Sequence, residues 1–265
     1  MNRFFISLVI AVIAILSFSS CNSVKKVIKT APDTTKNRHS GYTSKDAPIK
    51  RLKMGSLKTG KYEYNATIEL RGEVYNIKLF RDIKFSGNSI VISEDIHLPL
   101  GKSTDKYFLD TATLLPKSRN AFEGNEEVLD LTFSRDEIIG YKMTEQGQMP
   151  IKYSLLSPVL GDGICIDLAV SLLPLEVGYT NTLKFYDFRM EDIRTCEVEV
   201  PSIDEIQCAL GTFKCYRVQL KDSDNKTLDI YWISTDDVPK IIKAEIEIPT
   251  DLSKRRKAIE LVNIY

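Results

Sequence analysis

The chain has 265 residues, 43% of them hydrophobic, and its 36 basic and 36 acidic side chains cancel to a formal charge of zero. That length supports a real hydrophobic core, as one large β domain or one domain with a tether. With no net positive field over the part that folds, nucleic acid is excluded as an expected partner.

Residues 1–20 read as a lipoprotein signal peptide. Asn2 and Arg3 precede an apolar run of 15 residues, Phe4 to Phe18, shorter than the roughly 20 needed to span a bilayer. Ser19-Ser20-Cys21 completes the cleavage pattern, although Phe18 stands where leucine is usual. Processing there would leave Cys21 carrying the acyl chains, palmitate among them, and several chains anchor stably where one does not. The competing reading is an ordinary signal cut near Ser20, or an uncleaved anchor, with Cys21 an incidental thiol. Asn22 in place of aspartate implies, in the lipoproteins this N-terminus resembles, sorting to the outer membrane with the domain facing the periplasm.

Residues 21–52 are expected to be a lipid-anchored basic tether. From Asn22 to Lys50 seven basic residues face only Asp33 and Asp46, and Tyr42 is the single aromatic, too little apolar surface to fold. Such a segment either lies along anionic headgroups, at about 1 kcal/mol per Lys or Arg, or serves as a solvated spacer. From Arg51 on the chain carries 28 basic and 34 acidic residues, so the domain expected over 53–265 is mildly acidic. Lys254-Arg255-Arg256-Lys257 reads as a solvated turn before the last strand.

Alternation dominates the domain. In Tyr62 to Leu70 every even-numbered residue is apolar or aromatic and every odd one polar, the period of a strand with one buried face. Tyr75, Ile77 and Leu79 repeat it after a turn at Arg71-Gly72-Glu73, a hairpin signal, and Ile242 to Ile248 repeat it again. Further strands are expected over Ser89–Ile96, Lys106–Leu115, Glu127–Phe133, Glu137–Met143, Asn181–Phe188, Arg194–Val200, Phe213–Leu220 and Thr227–Ile233, with a terminal strand ending at Tyr265. Short strands joined by tight turns predict a mainly β fold, a strongly curved antiparallel sheet as half-barrel or barrel. One segment differs: Ile164, Leu168, Ser171 and Leu172 fall at helical spacing between Asp162, a candidate N-cap, and Pro174, a stop. It predicts a short, buried helix packed against the sheet.

Cys165, Cys196, Cys208 and Cys215 follow the lipid site, and four cysteines in an oxidising compartment invite disulfides. If Gly211-Thr212 turns a tight hairpin, Cys208 faces Cys215. A longer loop would shift the register and bring Cys165 or Cys196 into play. No CxxC is present and neither His39 nor His97 lies at ligand spacing beside a cysteine, so no metal is expected.

Two stretches carry a family resemblance. Leu210-Gly211-Thr212-Phe213-Lys214-Cys215-Tyr216-Arg217-Val218, followed by Tyr231-Trp232-Ile233-Ser234-Thr235-Asp236 and the strand through Lys243 and Glu245, resembles a widespread family of uncharacterised bacterial envelope proteins. Tyr107, Asp110 and Thr113-Leu114-Leu115-Pro116, with Leu172 to Gly178, also look like it, and the resemblance covers roughly Gly60 to Pro249. It implies a fold allied to the half-barrel of lipoprotein carriers such as LolA and LolB, with helix against the concave face. It implies no catalytic residue, and the cysteine pair and basic tether lie outside its pattern.

Signatures of catalysis are missing. Gly101-Lys102-Ser103 ends like a phosphate-binding loop without its glycine cradle. His97 is a lone histidine, and no GxSxG or HExxH occurs. Asp222-Ser223-Asp224-Asn225 starts like a calcium loop, but Lys226 breaks it. Asp204, Glu205, Asp236 and Asp237 are carboxylates that a glycosidase would need to bring together. Trp232, Tyr62, Tyr64 and Tyr75 line either a cavity or the core.

The sequence therefore predicts a non-enzymatic, membrane-anchored periplasmic protein without a cofactor, binding an apolar ligand or lipidated partner in its curved sheet. An interaction module of an envelope complex with no cavity is the alternative, and a hydrolase of envelope glycans or lipids the third reading. The state of the sheet interior, open or plugged by the helix, separates the first two.

Overall fold

The computed structural model describes residues 42–49, 51–70, 73–98, 101–224, 226–249 and 254–265. The expected signal, Cys21 and most of the expected tether lie outside them. Eight strands come first: β1 (Gly60–Leu70), β2 (Glu73–Ser86), β3 (Ser89–Leu98), β4 (Gly101–Asp110), β5 (Pro116–Glu123), β6 (Glu126–Phe133), β7 (Glu137–Thr144) and β8 (Gly147–Ser154). A two-residue β9 (Leu160–Gly161) leads into helix α1 (Ile164–Ser171). Then follow β10 (Thr180–Asp187), β11 (Asp192–Cys208), β12 (Gly211–Asp222), β13 (Thr227–Ser234), β14 (Ile241–Pro249) and β15 (Lys254–Ile264). All join one sheet in the order β8-β7-β6-β5-β4-β3-β2-β1-β15-β14-β13-β12-β11-β10-β9. The first and last long strands pair in the middle, and two arms of antiparallel meander grow away from them. The mainly β, curved antiparallel architecture with one helix is the one the alternation predicts.

Opposite residues in a ladder share a face. The row Ile83, Ile92, Tyr107, Arg119, Leu131, Gly140, Ile151 therefore runs along the inner surface of the first arm, from β2 to β8. Its beginning packs in the main core with Leu79, Ile90, Leu109 and the helix. Its end, with Leu129, Phe133 and Ile138, packs instead around Tyr186 of β10. Leu183 and Phe185 of the same strand belong to the main core, so Tyr186 projects from the outer face of the second arm. The sheet is thus a scroll: the inner face of β6–β8 overlaps the outer face of β10–β11. The overlap closes the fold by side chains, with Lys142 paired to Glu191 and Tyr153 Oη donating to Asp192. No ladder joins β8 to β9 or β10.

Edge strand β8 is blunted. Leu155 N donates to Asp136 O, so the odd-numbered amides of this stretch serve β7 and the even-numbered ones point away. Pro150 occupies an outward position, where its missing N–H costs no pairing and removes a donor from the free edge.

All eight residues of α1 are buried within the scroll. The expected N-cap shifts by one: Gly163 holds that position, and the Asp162 carboxylate is committed elsewhere. Several strand expectations shift as well. β4 begins at Gly101 and ends at Asp110, so Gly101-Lys102-Ser103, whose likeness to a phosphate loop lacked the glycine cradle, are extended strand. β15 begins at Lys254, which places the basic run in a strand, with Lys257 paired to Glu94.

Two further expectations are corrected. The tether expected over 21–52 gives way to ordered chain by Tyr42, whose hydroxyl donates to Pro116 O at 2.9 Å and Ser134 O at 3.3 Å. Asp46 pairs with Arg135, Ile49 is buried, and Lys53 N donates to Leu172 O. This strap crosses the end of the scroll where β1, β3, β5, β7, β10, β12 and β14 begin, called here the strap end. Cys208 and Cys215 do not face each other, because the hairpin turns at Ala209–Leu210 rather than Gly211–Thr212. Cys208 is opposite Gly211 and Cys215 opposite Asp204, and the four described cysteines are free thiols.

Candidate functional site

The scroll interior is where polar chemistry concentrates, and two aspartates, Asp167 within α1 and Asp162 just before it, organise it. Arg81 occupies an inward slot of β2 between Leu79 and Ile83. Its Nη2 donates to Glu94 Oε2 at 2.5 Å and to Asp167 Oδ2 at 2.6 Å, and its Nε to Glu94 at 3.0 Å. The guanidinium lies 5.4 Å from the Tyr64 ring centroid. Tyr231 Oη donates to the other oxygen of Asp167 at 3.0 Å. Burial pushes the Glu94 carboxyl up, but Arg81 and then Lys257 outweigh it and hold the group below its ordinary range. Arg81 stays firmly protonated: burial opposes the charge, and Glu94 and Asp167 more than restore it.

A second key sits one turn earlier. Arg119 grips Asp105 through two nitrogens, at 3.0 and 2.8 Å, and donates from Nη1 to Asp162 at 2.6 Å. Tyr107 Oη adds a bond to Asp162 at 2.7 Å, and Phe188 N one at 3.2 Å. Burial raises the Asp105 carboxyl despite Arg119. Towards the end opposite the strap, Arg194 joins Asp187, Asp222 and Thr227. Burial there pushes Asp229 up to about 7, leaving its carboxyl partly protonated near neutrality.

These groups are consumed by one another. The helix is held by two carboxylates, each bound to an arginine and a tyrosine: Asp167 by Arg81 and Tyr231 from opposite arms of the sheet, and Asp162 by Tyr107 and Arg119 from the adjacent strands β4 and β5, an arrangement that positions a packed element. The Cys165 thiol is pushed up to about 12 by burial, and Ser171 Oγ donates to Leu168 O within the helix, so neither is prepared as a nucleophile. At the strap end a cleft of about 30 Å³ is lined by Tyr64, Arg81, Asp167, Ser171, Leu172 and Pro239, among others. That is room for two or three water molecules.

The residues singled out from sequence fall mostly elsewhere. His97 is exposed on the outer face, 4.9 Å from the Phe80 ring. Trp232 is buried with the main core, donating to Asp204 at 2.9 Å beneath Lys243. Asp236 accepts from Lys240. Asp222 starts a hairpin connection, as expected, with its carboxylate on Arg194. Tyr62 and Tyr64 border the cleft; Tyr75 is half-buried against the main core. Among the described residues no group of three or more His, Cys, Asp or Glu side chains is placed to hold a metal ion, and no helix is long and apolar enough to cross a membrane. Arg81, Asp162, Asp167 and Arg119 were not anticipated as an ensemble. The available sign was an arginine in an inward slot of an otherwise apolar face.

The family described as protein of unknown function DUF3108 matches residues 51–252. The chain belongs to the DUF3108 family. No curated protein matches this DUF3108 chain. Among solved structures it is similar to a β-barrel-like protein of domain DUF1849 from Brucella abortus, with 9% identity, 78% of this chain and 97% of that one covered, and a TM-score of 0.48. A candidate lipoprotein from Parabacteroides distasonis matches with 9% identity, coverage of 79% and 96%, and a TM-score of 0.31. A candidate exported protein with a YmcC-like fold from Bacteroides fragilis matches with 10% identity, coverage of 79% and 96%, and a TM-score of 0.29.

Proposed function

We propose that this DUF3108 protein is a non-enzymatic, lipid-anchored component of the bacterial envelope, held in the outer membrane through Cys21, whose scroll acts as a protein-interaction module. The observation that carries the choice is the filled interior. Ligand sites for lipids and drug-sized molecules occupy roughly 300–1,000 Å³, whereas α1 fills this concavity and leaves a cleft of about 30 Å³. The filling weighs against the carrier reading favoured from sequence. Against a hydrolase stands the engagement of Glu94, Asp105, Asp162 and Asp167 by arginines, since a glycosidase needs one carboxyl free to give up a proton and another free to attack or activate water. A rigid scroll with solvated outer faces and a blunted edge suits recognition through side chains rather than strand addition.

Native mass spectrometry of lipidated protein extracted gently from membranes, combined with photo-crosslinking in cells from outer-face positions, tests this reading. The expected outcome is a mass equal to polypeptide plus anchor and one discrete protein adduct. Stoichiometric retention of a further lipid, with lipid adducts only, would overturn it.

A further inference from the structure

The anchor reading leaves open how the domain sits on its membrane, and the strap addresses that. Tyr42 is pinned to Pro116 O and Ser134 O, both at the strap end. The chain arriving from Cys21 therefore joins the domain at that end and no other. The 20 residues between Cys21 and Tyr42 span at most about 70 Å extended and roughly 25 Å as a coil, so the strap end is the part held nearest the bilayer.

The same end carries an apolar rim assembled from separate turns. Phe85 closes β2, Leu156 follows β8, Val177 precedes β10, Ile203 and Leu210 lie on the β11–β12 hairpin, and Tyr265 ends the chain; their exposures are 45, 109, 55, 48, 40 and 67%. The hairpin projects: Cys215 is the last β12 residue paired to β13, and the tip at Leu210 lies five residues further, about 15 Å beyond the rim. Arg51, Lys53, Lys58 and Lys61 are exposed along the strap and the start of β1. Scattered exposed apolar residues need no explanation singly. A set of apolar tips converging on one end, with the strap's cations and the exposed carboxylates Glu176 and Glu205 among them and the anchored segment entering there, has the composition of a surface that rests on headgroups. At the opposite end the exposed apolar residues Val74, Met143, Met149 and Met190 have no such entry point.

We propose that the strap end is a membrane-seating surface, with the β11–β12 tip, Leu156 and Val177 dipping into the interfacial layer of an anionic bilayer while the opposite end faces the periplasm. This rests on the anchor reading and adds an orientation to it. Any protein partner then meets the outer faces or the far end.

The test uses full-length lipidated protein in vesicles of phosphatidylethanolamine and phosphatidylglycerol. In a Cys208→Ser background, an environment-sensitive fluorophore is placed at Leu156→Cys or Val177→Cys, and for comparison at Val74→Cys or Met190→Cys. Spin-labelled lipids serve as quenchers. The expected result is a blue-shifted emission and at least about twofold stronger quenching at positions 156 and 177. Equal quenching at the two ends, or stronger quenching at the far end, overturns the seating even though the protein floats with vesicles. Unlabelled chain that does not float overturns the anchor and the seating with it. Each labelled variant is checked for an unchanged unfolding transition, so a loss of fold is not read as a loss of contact.

Discussion

Two regions of this molecule solve the same problem, joining distant parts of one sheet, by opposite means. Inside the scroll, α1 is fixed to the first arm by Arg81 and Arg119 and to the second by Tyr231, through carboxylates whose oxygens are all engaged. At the seam, β6–β8 meet β10–β11 through Leu129, Leu131, Phe133, Ile138, Ile151 and Tyr186, and the Tyr186 hydroxyl is buried with no hydrogen-bond partner. An ion pair specifies one position for the helix, since any other leaves a charge uncompensated. Apolar packing specifies the core of the seam by shape, with the Lys142–Glu191 pair and the Tyr153–Asp192 bond at its margin, and it tolerates an orphan hydroxyl that the charged interior would not. Position is set by charge inside and by fit at the overlap.

The largest expected effect breaks the interior. Arg81→Met keeps much of the side-chain volume but leaves Asp167 buried without its cation and Glu94 with Lys257 alone, at 3.7 Å. Removing one partner of a buried pair costs about 3–5 kcal/mol. Thermal unfolding should show a single transition lowered by roughly 6–20 °C, given about 2–4 °C per kcal/mol for a domain of this size. A shift under about 2 °C would mean that the carboxylates reach water or each other's proton, and that the ion pairs do not hold the helix.

Next in size is a change that reaches only the seam. Gly140 sits in the inner row of β7 with φ of 155°, and a Cβ added there would lie 1.9 Å from Asp130 O. Gly140→Ala must displace backbone, at an expected cost of about 2–4 kcal/mol. Hydrogen exchange should lose protection in β6–β8 and the β10–β11 turn while the amides of α1 keep theirs. If α1 loosens equally, seam and interior are one cooperative unit and the contrast drawn between them fails.

The two regions also differed in how far they could be read in advance. β1 and β2 were legible because apolar residues fill every second position, and α1 because its apolar spacing breaks that period between Asp162 and Pro174. β5 and β8 carry no such pattern. Lys117-Ser118-Arg119-Asn120 puts an arginine in an inward slot, and Gln148-Met149-Pro150 puts proline in a strand, so both look like loop. Arg119 is inward because Asp105 and Asp162 await it, and Pro150 is tolerated because it lies at an edge, facts of partners 14 and 43 residues away and of sheet order. The seam was illegible for the same reason: Tyr186 reads as an outward residue until β6–β8 cover it. The β11–β12 turn lies two residues before the one the sequence suggests because Gly211, the apparent turn glycine, is the first residue of β12.

The smallest effects give the sharpest contrast, because two chemically identical substitutions should differ in sign. Tyr231→Phe removes a buried donor from Asp167; a hydrogen bond to a charged group contributes about 1.5–3 kcal/mol, and Arg81 still serves the same carboxylate, so the lower figure applies. Tm should fall by roughly 3–6 °C. Tyr186→Phe removes a hydroxyl that is buried and unpaired, and relieving such a group gains about 1 kcal/mol while the ring contacts with Phe133 and Tyr153 remain. Here Tm should rise by roughly 2–4 °C. The two variants are measured together at one pH, and the double variant should return the sum, since the tyrosines belong to separate cores. A fall for Tyr186→Phe would show that its hydroxyl has found a partner, and the core of the seam, like its margin, would then be held by a polar contact as the interior is.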